Sequence, residues 1–152
     1  MQKITPFLWF DGNAEEAMNF YISIFSNSKV VSTMPGPGGT IMGATFQLEG
    51  QEFFVLNGGP QFKFNEAISF FVKCDTQAEI DEKWAKLTAD GGEESRCGWL
   101  KDKYGLSWQI VPPILTQLLS DKDREKAGRA MQAMMQMGKI EIQQLKDAFD
   151  GK

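Results

Sequence analysis

Histidine is missing from this chain of 152 residues. Its absence removes the commonest general base near neutral pH, the commonest imidazole metal ligand and the usual pH switch together. Cysteine is nearly as scarce. Cys74 and Cys97 are the two present; their spacing fits no zinc or redox motif, and a strand-like run is where a buried free thiol is the ordinary explanation. No apolar run approaches the roughly 20 residues that span a bilayer, so no membrane partner is expected. Positive charge is outnumbered as well: 16 Lys and Arg against 20 Asp and Glu leave a formal net charge of −4. That balance disfavours nonspecific binding to nucleic acid. The opening residues hold one lysine and an apolar stretch closed by Asp11, too short for a secretory leader, which points to the cytoplasm.

What is present is ordinary globular material. Apolar residues at 42% and charged residues at 24% exclude disorder and coiled coil as the dominant state. Aromatics at 12% supply a sizeable core, and the length suits about one domain.

Alternation over Ile4 to Phe10 predicts a strand, and Asn13 with Glu16 has the spacing of a capping box. Ala17, Phe20, Tyr21, Ile24 and Phe25 then fall on one helical face. Strand-like segments follow at Lys29 to Met34, Ile41 to Leu48 and Glu52 to Leu56, separated by Pro35-Gly36-Pro37-Gly38-Gly39 and Glu49-Gly50-Gln51. The order strand, helix, strand, strand, strand then recurs. Ala67 to Cys74 is a strand, and Thr76 with Glu79 makes a second capping box. Ile80, Trp84 and Leu87 face one way on a helix that Gly91-Gly92 ends. Short strands near Glu94 to Cys97, Trp99 to Lys103 and Leu106 to Val111 complete the unit, with Lys101-Asp102-Lys103 read as a solvated hairpin. A shift of about 64 residues superposes the two halves, Asp11 on Asp75 and Phe20 on Trp84 among the matches.

After Pro112-Pro113 the pattern is helical. Ile114 to Leu119 forms a turn or two, and Asp121 is placed to cap the next helix. Ala127, Ala130, Met131, Met134 and Met135 form a stripe that must pack on the body of the protein or on a second subunit. Ile142, Leu145 and Phe149 outline a last short helix.

Several segments resemble the PhnB-like family of the vicinal oxygen chelate superfamily, the glyoxalase, bleomycin-resistance and dioxygenase proteins. They are Phe7-Leu8-Trp9-Phe10-Asp11-Gly12, Leu56-Asn57-Gly58-Gly59-Pro60, Phe62-Lys63-Phe64-Asn65-Glu66-Ala67 and the long run from Cys97 to Pro112. The resemblance covers essentially the whole chain. It implies an α+β fold in which two βαβββ modules, about 1–60 and 61–112, form a half-open mixed β-barrel, followed by a helical extension over 113–152. It also implies a homodimer. Proteins of this kind often carry the name 3-demethylubiquinone-9 3-methyltransferase. A methyltransferase would show a glycine-rich turn from strand to helix in a parallel sheet, whereas Gly36-Pro37-Gly38-Gly39 leads from strand to strand.

Superfamily enzymes hold a divalent metal through His, Glu or Gln on the first and last strands of each module, and the metal polarises substrate oxygens. The resemblance carries those positions to Thr5, Asn57, Ser69 and Gln109. All four are neutral hydroxyls or amides, poor partners for a transition metal, so no metal or other cofactor is expected. Strand parity turns Thr5, Phe7 and Trp9 away from the first helix, and Ser69, Phe71 and Lys73 away from the second. The expected site is therefore Thr5, Phe7, Trp9, Asn57, Ser69, Phe71 and Gln109, an aromatic wall with a few polar groups suited to a small aromatic or amphipathic molecule. Packing of the barrel interior explains the aromatic members equally well. The alternative function is a divalent-metal-dependent lyase, isomerase or dioxygenase with an unusual ligand set.

Overall fold

The first strand is shorter than its alternation suggests. A computed structural model, which describes residues 2–152, pairs only Phe7–Phe10 (β1) with a neighbouring strand. Pro6 has no N–H to give to a ladder. The side-chain amide of Gln2 substitutes, donating to Glu52 O (3.0 Å) and accepting from Glu52 N (3.1 Å).

From β1 the chain continues through α1 (Ala14–Ile24), β2 (Lys29–Pro35), β3 (Ile41–Leu48) and β4 (Gln51–Asn57). The sheet order is β1-β4-β3-β2, with β1 parallel to β4 and the other pairs antiparallel. The motif then repeats as β5 (Ser69–Lys73), α2 (Gln77–Thr88), β6 (Glu93–Glu94), β7 (Trp99–Lys101) and β8 (Ser107–Val111). Its order is β5-β8-β7-β6, again with first and last strands parallel. Three helices follow: α3 (Pro113–Leu119), α4 (Arg124–Met135) and α5 (Ile142–Asp150). The protein is thus α+β, with two four-stranded mixed sheets of βαβββ order and C-terminal helices. It forms two compact units, one running to Lys63 and the other Phe64–Lys152, so the terminal helices belong to the second. Among the described residues no helix is long and apolar enough to cross a membrane.

Each helix covers one face of its own sheet. In the first unit α1 packs on β3 and β4 and buries Ala17, Met18, Tyr21 and Ile24, with Leu8, Phe10, Phe46 and Val55 buried on the sheet. In the second, α2 packs on β7 and β8 through Ile80, Trp84 and Leu87, with Leu100, Trp108 and Ile110 buried on the strands. Full burial of one such aliphatic or aromatic side chain contributes about 1.5–3 kcal/mol, which makes these faces the main source of stability.

The two helices are capped differently. Glu79 N donates to Thr76 Oγ1 (3.1 Å), the local cap its spacing predicts. The Asn13 side chain makes no capping bond. Ala14 N instead donates to Asn57 Oδ1 (2.9 Å), and Asn57 Nδ2 donates to Ile41 O (3.1 Å), so a residue at the end of β4 anchors both the helix and β3. The hairpin at Lys101-Asp102-Lys103 is not solvated throughout. Asp102 is 2% exposed and accepts from Tyr104 N (2.9 Å), Leu106 N (3.1 Å) and Trp108 Nε1 (2.9 Å). A short turn has to satisfy its own amides, and this carboxylate accepts two of them together with the buried indole.

The terminal helices also depart from their pattern. Asp123, not Asp121, caps α4, accepting from Glu125 N and Lys126 N. Ala127 and Ala130 form the buried face of α4, while Met131 and Met135 are 41% and 57% exposed. Small side chains let the helices approach closely enough for Arg129 to reach Ala148 O (3.0 Å) and Phe149 O (2.7 Å) at the end of α5. A cluster of Val111, Leu115, Met137, Ile140 and Leu145 joins the helices to β8. Gln77 strengthens the join, donating to Ile140 O (2.9 Å) and accepting from Ile142 N (2.8 Å). Gly98 is required beneath it: at φ +85° it approaches so closely that an added Cβ would lie 3.1 Å from Ile140.

Candidate functional site

Strand alternation leaves one face of each sheet without a helix. In the first unit that face carries Phe7 and Trp9 from β1 beside their partners Phe54 and Leu56 on β4. The Phe7 and Phe54 rings meet edge to face at 5.8 Å, and the Trp9 and Phe62 rings at 5.0 Å. Trp9 is fixed from two sides. Its Nε1 donates to Gly59 O (2.9 Å), and its ring lies where a Cβ on residue 58 would stand, 2.3 Å away, so only glycine fits there. The loop Gly58-Gly59 is therefore the seat of the indole. Phe7 and Phe62, at 59% and 66% exposure, leave much of their ring surface to solvent.

Thr5 precedes β1 and is half-buried, with its hydroxyl 3.4 Å from Gln2 Nε2. Asn57 does not share the aromatic face. It pairs with Phe10, on the helix-covered side, and both ends of its amide are committed to α1 and β3. Phe54 and Phe62 were absent from the expected set. The parity of β4 places Phe54 opposite the buried Phe53 and Val55, so the first was available from alternation; Phe62 lies beyond the strand, and sequence spacing gives no pairing for it.

In the second unit the uncovered face brings together Ser69, Phe71 and Gln109. Phe71 is the partner of Gln109 across β5 and β8, and Gln109 Nε2 donates to Ser69 Oγ (2.9 Å). Phe71 is half exposed and Lys73 is exposed. The reverse face holds Phe70 against Trp108, ring centres 5.3 Å apart. Cys74, just past β5, is fully buried. Burial first, and then a hydrogen bond with Glu79, pushes its thiol up to about 12, so it stays protonated and is no nucleophile near neutrality.

The fold implies a divalent metal in many relatives, and the residues here do not fit one. Gln109 and Asn57 spend their amides within the protein, Thr5 and Ser69 offer only neutral hydroxyls, and these donors cannot offset a dication's charge. Among the described residues no three His, Cys, Asp or Glu side chains converge as a metal site requires.

Comparison with known proteins places these faces in context. The family model of 3-demethylubiquinone-9 3-methyltransferase matches residues 2–111, ending where the terminal helices begin. A PhnB protein structure from Bacillus cereus, which carries that methyltransferase name, is 42% identical; the match covers 73% of this chain and 99% of that one, with a TM-score of 0.68. Protein PA1353 from Pseudomonas aeruginosa is 19% identical over 74% of this chain and 98% of its own, TM-score 0.60. The fosfomycin resistance protein FosX from Mesorhizobium loti shares the fold at 12% identity, over 79% of this chain and 98% of its own, TM-score 0.59. No curated protein matches the chain.

Proposed function

The chain belongs to the 3-demethylubiquinone-9 3-methyltransferase (PhnB) family of glyoxalase-fold proteins, and from that premise we propose that it is a binding protein for a small aromatic or amphipathic molecule. The observation that carries this reading is the aromatic cluster of the first unit. Phe7, Trp9, Phe54 and Phe62 gather on a sheet face that no helix covers, and two of the four stay mostly exposed. Exposed aromatic surface of this kind, held rigid by an indole hydrogen bond, is what a flat apolar ligand needs.

Methyl transfer forms no part of this reading. The glycine-rich segment Pro37–Gly39 joins the antiparallel strands β2 and β3 and opens no helix of a parallel sheet. The free edge of β2, where Val30, Val31 and Met34 are exposed, supports a homodimer; a single-chain native mass at micromolar concentration would remove that part of the reading.

The test is a titration of the full chain with 1-naphthol, followed through the indole N–H signal of Trp9 in a nitrogen-correlated NMR spectrum. Saturable movement of that signal is expected. Phe7→Ala and Phe62→Ala each weaken binding by roughly 2- to 10-fold, the size of one aromatic contact, with little change in unfolding temperature. A Trp9 signal that 1-naphthol does not move overturns the proposal.

A further inference from the structure

The uncovered face of the second unit carries a row of three side chains. Phe71 on β5 and Trp99 on β7 both have Gln109 of β8 as their cross-strand partner, so the order along the row is ring, amide, ring. Phe71 is 50% exposed, and Trp99 and Gln109 are half-buried. Among the described residues neither of these rings packs against another aromatic ring. The row shares no residue with the aromatic cluster of the first unit.

Trp99 differs from the other tryptophans of the chain. Trp9, Trp84 and Trp108 each donate the indole N–H to a protein acceptor: Gly59 O, Glu94 Oε1 and Asp102 Oδ2. Trp99 Nε1 has no such acceptor among the described residues. An indole usually finds a partner for that proton, and phenylalanine would cover the same strand without one. Gln109 is half committed in the same way. Its Nε2 donates to Ser69 Oγ (2.9 Å), which fixes the amide and leaves Oε1 accepting from no described group. A free donor and a free acceptor thus stand on directly paired residues, whose backbones lie about 5 Å apart in an antiparallel ladder. Both groups are uncharged, and the ammonium that follows Trp99 on this face, Lys101, is matched by Glu66 (3.2 Å). We propose that this row is a ligand site of its own, one that takes a neutral planar cyclic amide. The ligand's carbonyl oxygen accepts from Trp99 Nε1, its ring N–H donates to Gln109 Oε1, and Phe71 flanks its ring.

The experiment titrates the full chain with 2-pyridone and follows two NMR signals, the Trp99 indole N–H and the Gln109 side-chain amide. N-methyl-2-pyridone, which keeps the ring and the carbonyl but has no N–H, is the comparison titrant. Saturable shifts of both signals are expected with 2-pyridone. The N-methyl compound should bind more weakly by roughly threefold to tenfold, the loss of one neutral hydrogen bond. Trp99→Phe keeps a ring and removes the donor. Followed at the Gln109 amide, its affinity for 2-pyridone should fall by a similar factor, and Phe71→Ala should weaken binding by roughly 2- to 10-fold. Three results would overturn the proposal: no saturation at either signal, equal affinity for the N-methyl compound, or unchanged affinity in either variant. The first two are read on the unaltered chain, so a variant that fails to fold does not shield the proposal. The Trp9 signal reports separately on the aromatic cluster, so either site can fail without the other.

Discussion

The two units are built to one plan and finished with different chemistry. Both place a parallel pair of first and last strands beside an antiparallel edge, and both bury a helix on one face. The free face of the first is aromatic: Phe7, Trp9, Phe54 and Phe62. The free face of the second mixes two aromatics, Phe71 and Trp99, with the polar Ser69, Gln109, Lys101 and Ser107. The helix-covered faces are held to apolar residues by burial, whereas the uncovered faces are released from that constraint. What distinguishes the units is therefore what they offer a ligand, and repetition of the fold carries no repetition of a site.

Substitutions can sharpen that contrast. The largest effect is expected in the second unit, at Asp102. Asp102→Ala leaves two backbone amides and the Trp108 indole without their acceptor, at a cost of about 3–5 kcal/mol for orphaned buried donors. Urea unfolding monitored by tryptophan fluorescence measures it, and a loss below 1 kcal/mol would show that water replaces the carboxylate.

The caps give the next comparison. Asn57→Ala removes two hydrogen bonds that tie α1 to β3 and should cost about 2 kcal/mol. Thr76→Ala removes one local cap and should cost about 1 kcal/mol. Equal losses would mean that the long-range anchor is worth no more than the local one.

The smallest effect is pH-dependent. The ammonium of Lys139, and then the amide of Gln77, holds the Asp81 carboxyl below its ordinary value of 3.8. A carboxyl depressed on folding adds stability that is complete above the unfolded value and is lost as pH falls through the folded one. Asp81→Asn should therefore flatten part of the acid limb below pH 3.8, with an effect under about 1 kcal/mol for so exposed a pair. An acid limb unchanged by the substitution would remove the pair from the account of stability.

Much of the fold was legible because it rests on local pattern. Apolar residues at helical spacing marked Ile80, Trp84 and Leu87, and the Thr76 cap lies three residues from the amide it serves. What escaped depends on contacts between distant residues. The cap of α1 comes from Asn57, 43 residues from Ala14, and the same amide was read as part of a ligand set. Asp102 looks like surface charge between two lysines until Trp108 is folded over it. Of the site, parity gave Phe7, Trp9, Ser69 and Phe71, while the pairing of Ser69 with Gln109 and the seat of Trp9 on Gly58 needed the strands in register. The buried hydroxyl of Ser107, which has no hydrogen-bond partner, could not be read at all, because an unsatisfied hydroxyl is a property of surroundings and leaves no trace in spacing.

Gln77 has a consequence for synthesis. Its amide grips the backbone on both sides of Glu141, and the core of the second unit includes Ile140 and Leu145. The buried side chains of the first unit lie between Leu8 and Val55. On a ribosome the first sheet can close over its helix early, but the second waits for nearly the whole chain to emerge. During that interval Val111 and Leu115 have been made and lack Met137, Ile140 and Leu145, the partners they pack against. A nascent chain stalled near residue 115 should accordingly present its second half, and not its first, to chaperones.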